Sequence, residues 1–184
     1  MSTGRLRQGR IAIMCTAMAS LVVIALVARA DSPPATVPAK LEPAPSEALA
    51  MTVAAKGVQI YECRKAKDAA GFEWAFVAPE AELFDARGQR VGRHGAGPSW
   101  EASDGSKIVG TVKERVDAPV AGAIPWLLLA TRSVGPEGSF SKVTSVQRVN
   151  TQGGVAPTAG CGGDAIGTIA RIVYTADYRF FTAR

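Results

Sequence analysis

The side chains with the most chemical potential fall in one stretch, Gly92-Arg93-His94-Gly95-Ala96-Gly97-Pro98-Ser99-Trp100-Glu101-Ala102-Ser103-Asp104-Gly105-Ser106. It holds the chain's single histidine, a tryptophan and two carboxylates. Gly95, Gly97 and Pro98 imply a tight loop around which His94, Trp100, Glu101 and Asp104 can converge. A sugar-like or other polar small molecule could stack on Trp100 and hydrogen-bond to the two acids. These four residues are the candidate ligand site. The competing reading is a plain Gly/Pro loop between two strands, with Trp100 in the core and Asp104 serving its turn.

Catalytic constellations are weaker. A Ser-His-acid arrangement needs a hydroxyl activated by its base. His94 could serve Ser99 or Ser106, but no Gly-x-Ser-x-Gly elbow occurs. A small hydrolase or lyase using His94 as base with Glu101 or Asp104 is therefore the second reading. A metal centre on His94, Glu101 and Asp104 would have one imidazole and no thiolate pair, so none is expected. Three-residue spacing across a turn does not fix the carboxylate separation that glycoside hydrolysis requires. The second glycine-rich stretch, Thr151 to Asp164, lacks the Gly-Lys-Ser/Thr ending of a phosphate loop. No Gly-x-Gly-x-x-Gly joins a strand to a helix, so no nucleotide cofactor is expected. The stretch reads as a long loop stapled at Cys161.

The elements that position these residues follow from period-two patterning. Phe72, Trp74 and Phe76 alternate with Glu73 and Ala75, and Ile172, Tyr174, Ala176, Tyr178 and Phe180 alternate with Arg171, Thr175, Asp177 and Arg179. Short runs at 58–64, 82–85, 90–94, 107–116, 124–131 and 143–149 complete about eight strands. Turn signals bound them, notably Ala86-Arg87-Gly88-Gln89 and Ser103-Asp104-Gly105-Ser106. Pro125 to Ala130 is apolar without alternation, which implies burial on both faces, as a strand in preference to a short buried helix. The expected class is all-β, an antiparallel β-sandwich or barrel with long Gly-rich loops.

The N-terminal end bears on location. Arg5, Arg7 and Arg10 precede an uncharged apolar run from Ile11 to Ala28, which ends at Ala28-Arg29-Ala30. That order is the pattern of a cleavable signal peptide at residues 1–30, the alternative being a retained anchor. Cys15 lies mid-run and reads as filler. A Pro/Ala-rich linker at 31–50 and a single β-rich domain at 51–184 complete the organisation. The expected location is outside the cytoplasm, in the periplasm or the extracellular space, with no membrane span after cleavage. Cleavage removes four arginines and no acid, so the 21 basic residues fall to 17 against 16 acidic. A near-neutral domain without a basic block gives no reason to expect nucleic acid as a partner. Cys63 and Cys161 remain, and an oxidising compartment favours a bridge over two buried thiols. Closing 98 positions would restrict the unfolded chain by at most about 4.7 kcal/mol.

Several segments together carry a resemblance. They are Ile60-Tyr61-Glu62-Cys63, Pro79 to Leu83, His94 to Glu101, Asp104-Gly105-Ser106, Pro125 to Leu129, Gln147 to Thr151 through Cys161, and Tyr174 to Tyr178. Over residues 48 to 182 the chain resembles the exported family catalogued as domain of unknown function 3455, found in bacteria and fungi. The family pattern has an aromatic residue where Ala96 stands, which implies that a ligand surface built there is altered in this chain. The resemblance implies a secreted habit and assigns no catalytic residue. Some fungal relatives carry a malate dehydrogenase label, which the missing dinucleotide fingerprint does not support. The leading expectation is a non-enzymatic binding module for a small molecule or envelope component. A third reading is a structural envelope protein.

Overall fold

Most strands bury alternate side chains along part of their length, and the sheet that results has closed on itself. The computed structural model describes Met1, residues 36–67 and residues 70–184. The signal pattern at 1–30, Cys15 and the first part of the linker lie outside the described residues, Met1 excepted. The described residues from Thr36 onward form one compact unit.

Eight antiparallel strands succeed one another around a closed barrel. They are β1 (Glu47–Lys65), β2 (Phe72–Phe84), β3 (Arg90–Gly95), β4 (Ser99–Ala102), β5 (Lys107–Val116), β6 (Trp126–Ser133), β7 (Val143–Gly153) and β8 (Ile169–Ala183). Every connection is an up-and-down hairpin, and pairing of β1 with β8 from Glu47↔Ala183 to Glu62↔Ile169 shuts the ring. The choice between sandwich and barrel thus resolves to the barrel. The strands are not uniformly short: β1 runs 19 residues and β8 runs 15. The segments read as separate strands at 72–76 and 82–85 are one strand, β2, and β4 lies inside the stretch read as a loop.

The interior is filled with side chains, as an eight-stranded barrel permits. Val53, Ala55, Leu83, Ile108, Leu129, Val146, Ala176 and Phe180 are buried there among larger rings. Phe140, from the loop between β6 and β7, enters one end and stacks on Phe180 with centroids 4.8 Å apart. At the other end Gly154 packs against Tyr174, Ile124 and Gln59, so closely that a Cβ would lie 2.8 Å from that of Tyr174. With an apolar interior and charged outer positions, the alternation is the reverse of a membrane-spanning barrel. Among the described residues no helix is long and apolar enough to cross a membrane.

β6 explains its own lack of alternation. Leu127 and Leu129 face the barrel interior, while Trp126 and Leu128 face outward and are buried with Leu41 and Val149. The cover is the segment before β1, where Ala39–Leu41 forms a 3-10 turn and Leu41 is fully buried. Gln147 Nε2 donates to the Leu41 carbonyl at 2.8 Å, fixing this strap to β7. Folded structure therefore reaches into the stretch read as linker, since β1 itself starts at Glu47.

Cys63 and Cys161 are bonded, with Cα atoms 5.3 Å apart. The bridge ties β1 to the loop between β7 and β8. The same loop takes a 2.6 Å hydrogen bond from the Tyr61 hydroxyl at Gly154 and one of 2.9 Å from Trp74 Nε1 at Ala159. Replacing both cysteines with alanine should cost about 2–5 kcal/mol in urea unfolding. Amide exchange should rise first across 154–168. Unchanged stability would show that the loop holds itself.

Candidate functional site

The β3–β4 hairpin sorts the sequence-predicted residues onto opposite faces. His94 pairs directly with Trp100, and Arg93 with Glu101. Paired residues share a face, so His94 and Trp100 point into the barrel and Glu101 points out. Asp104 lies beyond β4 in the following turn. The structure therefore brings His94 and Trp100 together, and neither joins Glu101 or Asp104.

The inner pair is part of the core. His94 is 3% exposed and Trp100 1%. Their rings stack with centroids 4.6 Å apart, and Tyr178 lies 4.9 Å from His94 and 5.6 Å from Trp100. Gly110 makes room for the indole, because a Cβ there would lie 2.8 Å from Trp100 Cζ3. His94 Nδ1 donates to the Ser99 carbonyl at 2.8 Å, which fixes the ring. Burial drives the imidazole pKa down to about 3, with the charge of Arg148 adding to the effect and the Ser99 carbonyl opposing it. A ring held neutral, enclosed and away from both acids is a poor general base at neutral pH.

Asp104 is a latch. Its Oδ1 accepts from the Ser106 amide and hydroxyl at 2.9 and 2.6 Å, and its Oδ2 from those of Ser139 at 2.7 and 2.6 Å. Ser106 Oγ in turn accepts from the Phe140 amide at 3.0 Å. The carboxylate thus joins the β4–β5 turn to the loop that seats Phe140. The Ser106 hydroxyl, then the Ser139 donors, hold its pKa well below the usual carboxylate range.

Glu101 belongs to a charged groove on the outer face of β1 to β4, with a volume of about 620 Å³. Arg93 donates to its Oε1 at 2.7 Å, and Lys107 lies 3.4 Å from its Oε2. The bond from Arg93, aided by that from Lys107, lowers its pKa although burial opposes them. Glu80 pairs with Arg171 and Glu82 with Arg90 on the same walls. Lys56 adds a fifth cation, 5.5 Å from the centre of the Phe84 ring and in no ion pair among the described residues. The groove lies outside Gly57, where a Cβ would stand 2.1 Å from the Glu80 carbonyl oxygen. Only glycine lets β1 press this close to β2.

Sequence reasoning singled out Glu101 but not Lys56, Arg93, Lys107 or Arg171. Alternation puts each on the outer face of its strand, yet only strand order puts β8, β1, β2, β3, β4 and β5 side by side. Among the described residues no cluster of three His, Cys, Asp or Glu side chains is placed to hold a metal ion.

The family of proteins of unknown function DUF3455 matches residues 43–182, which span every strand of the barrel except the last residue of β8. The chain belongs to this family. No curated protein and no solved structure matches the chain.

Two outcomes test these assignments. The unfolded chain protonates His94 below its ordinary value of 6.5 and the folded chain only near 3, so stability falls as pH falls between them. Urea unfolding between pH 6 and pH 4.5 should show a slope approaching about 1.4 kcal/mol per pH unit, and His94→Phe should flatten it. An equal slope in the variant would count against the buried neutral ring. Asp104→Asn should lower the melting temperature and speed amide exchange at Phe140. Its carboxylate, with a depressed pKa, supports folding at neutral pH and loses that effect as pH drops below 3.8.

Proposed function

We propose that this protein is an exported, non-enzymatic binding module that takes an anionic ligand in the groove outside Gly57. One observation carries the reading, the charge balance of the groove: five cations, Lys56, Arg90, Arg93, Lys107 and Arg171, stand against three carboxylates, Glu80, Glu82 and Glu101. The excess of positive charge suits a small molecule or envelope component bearing two or more carboxylate or phosphate groups.

The pairing within the groove favours exchange. Its ion pairs are solvent-exposed, with Arg93 at 65% and Arg171 at 49% side-chain exposure. Such pairs contribute about 0–1 kcal/mol each. An incoming anion can therefore take over a guanidinium without breaking anything the fold depends on. Glu101, held between Arg93 and Lys107, then orients both cations toward the groove. The export reading draws support from the Cys63–Cys161 bridge, which suits an oxidising compartment, and from the basic-then-apolar order of residues 1–30.

Calorimetric titration with citrate or inorganic pyrophosphate at low salt tests the proposal. Saturable binding is expected, weakened by added salt. The double substitution Arg93→Glu, Arg171→Glu should raise Kd about tenfold or more, a loss of at least about 1.4 kcal/mol. Equal binding by the charge-reversed protein, or no binding of either anion, would overturn the reading.

A further inference from the structure

The geometry points to a second site, a side window in the barrel wall that admits an organic monocarboxylate with an apolar body and seats its carboxylate on Arg148. The window exists because the β3–β4 hairpin is shorter than its neighbours. β2 pairs with β3 only over Ala81–Phe84, and β5 with β4 only over Lys107–Val109. The hairpin tip reaches as far as Gly110, whose amide donates to the Pro98 carbonyl at 2.9 Å. Beyond that level the facing edges of β2 and β5 have no strand between them. Pro79, which lacks an amide donor, sits in the free part of β2, where an edge tolerates it.

Two apolar side chains mark the opening. Phe76 packs edge-on against Tyr61, an interior residue, with centroids 5.7 Å apart. Val112 stands opposite Leu129, which is 2% exposed in the core. Both are thus turned inward, yet they are 54% and 49% exposed. Inward-facing side chains of a closed barrel are half exposed where its wall or its mouth is open, and here the wall is low because β3 and β4 stop short.

Behind them lies a cation that the fold has placed inside. Arg148 is paired with Tyr178 across β8 and with Leu127 across β6, both on the inner face. Its Nε and Nη2 donate to the Pro125 carbonyl at 3.1 and 2.9 Å, and it forms no ion pair among the described residues. A partly buried guanidinium without a carboxylate is costly to keep. Its five donors form a planar fork that fits a carboxylate. Gln59, 3% exposed at the same barrel end, also has its Nε2 without an acceptor. Arg148 and the exposed Arg115, which pairs with Leu127 on the same inner face, are the cations here, and the apolar side chains of Phe76 and Val112 at the opening favour a carboxylate on an apolar body over the multiply charged ligand suited to the outer groove.

Hexanoate and benzoate serve as probes, with hexanol and benzyl alcohol as their uncharged counterparts, read by chemical-shift perturbation of the purified protein. Saturable shifts are expected at Tyr61, Val112 and the Arg148 side chain, with the alcohols at least tenfold weaker. Arg148→Gln should abolish the shifts. Val112→Asp, at an exposed position, should do so as well with the fold intact, and it decides the matter if the arginine variant does not fold. Arg93→Glu with Arg171→Glu should bind both carboxylates normally, which separates this site from the outer groove. Absence of saturable binding to the unaltered protein, or carboxylate binding by Val112→Asp equal to it, would overturn the inference.

Discussion

Eight strands closed into a ring leave a narrow interior, and a run of rings fills this one. Phe140 lies on Phe180, Trp100 meets Phe180 edge-on, His94 stacks on Trp100, and Tyr178 borders both. Tyr174 continues the run, its hydroxyl 3.5 Å from that of Tyr178. β3, β4, β8 and the loop between β6 and β7 supply these rings, and the other strands pack aliphatic side chains around them. Aromatic pairs add about 0.5–1.5 kcal/mol each beyond the area they bury. The glycines at 57 and 110 allow the sheet to close tightly around the rings.

Filling the interior determines where ligands can go. A large cavity is not available along the barrel axis, since Phe140 closes one end and Ile124 with Gly154 packs the other. What remains are the outside of the sheet and the side opening. The outer groove collects charge from β8, β1, β2, β3, β4 and β5, and at the opening Arg148 and Arg115 both pair with the inner residue Leu127. The two surfaces differ in kind, one multiply charged with ion pairs on its walls, the other half apolar with Arg148 at its base.

Much of the architecture is legible in the residues. Lys107 to Val116 reads as a strand and is one, because buried Ile108 and Gly110 alternate with Lys107, Val109 and Thr111 before a polar outer stretch. The apolar run at 125–130 reads as doubly buried and is so, although its outer cover comes from Leu41, about 85 residues away in sequence. β4 is hidden because Gly95, Gly97 and Pro98 advertise a loop and only four residues of strand follow. His94 and Glu101 look like neighbours in a loop, but a hairpin sends adjacent pairs to opposite faces. Arg148 is the hardest to find: in Val146-Gln147-Arg148-Val149 nothing local tells which polar residue turns inward, and the bulge after Val149 disturbs the register.

The ring is sealed by its first and last strands. β1 needs β8 along almost its whole length, and residues 37–41 need β6 and β7 beneath them. No subset of the strands without β8 can complete the barrel, so a chain emerging from its N-terminal end has nowhere to close until β8 is made. Contacts of such long sequence separation make for slow folding. A protein built this way stays open while it is being made, which is the condition in which a chain can still be threaded through a narrow pore.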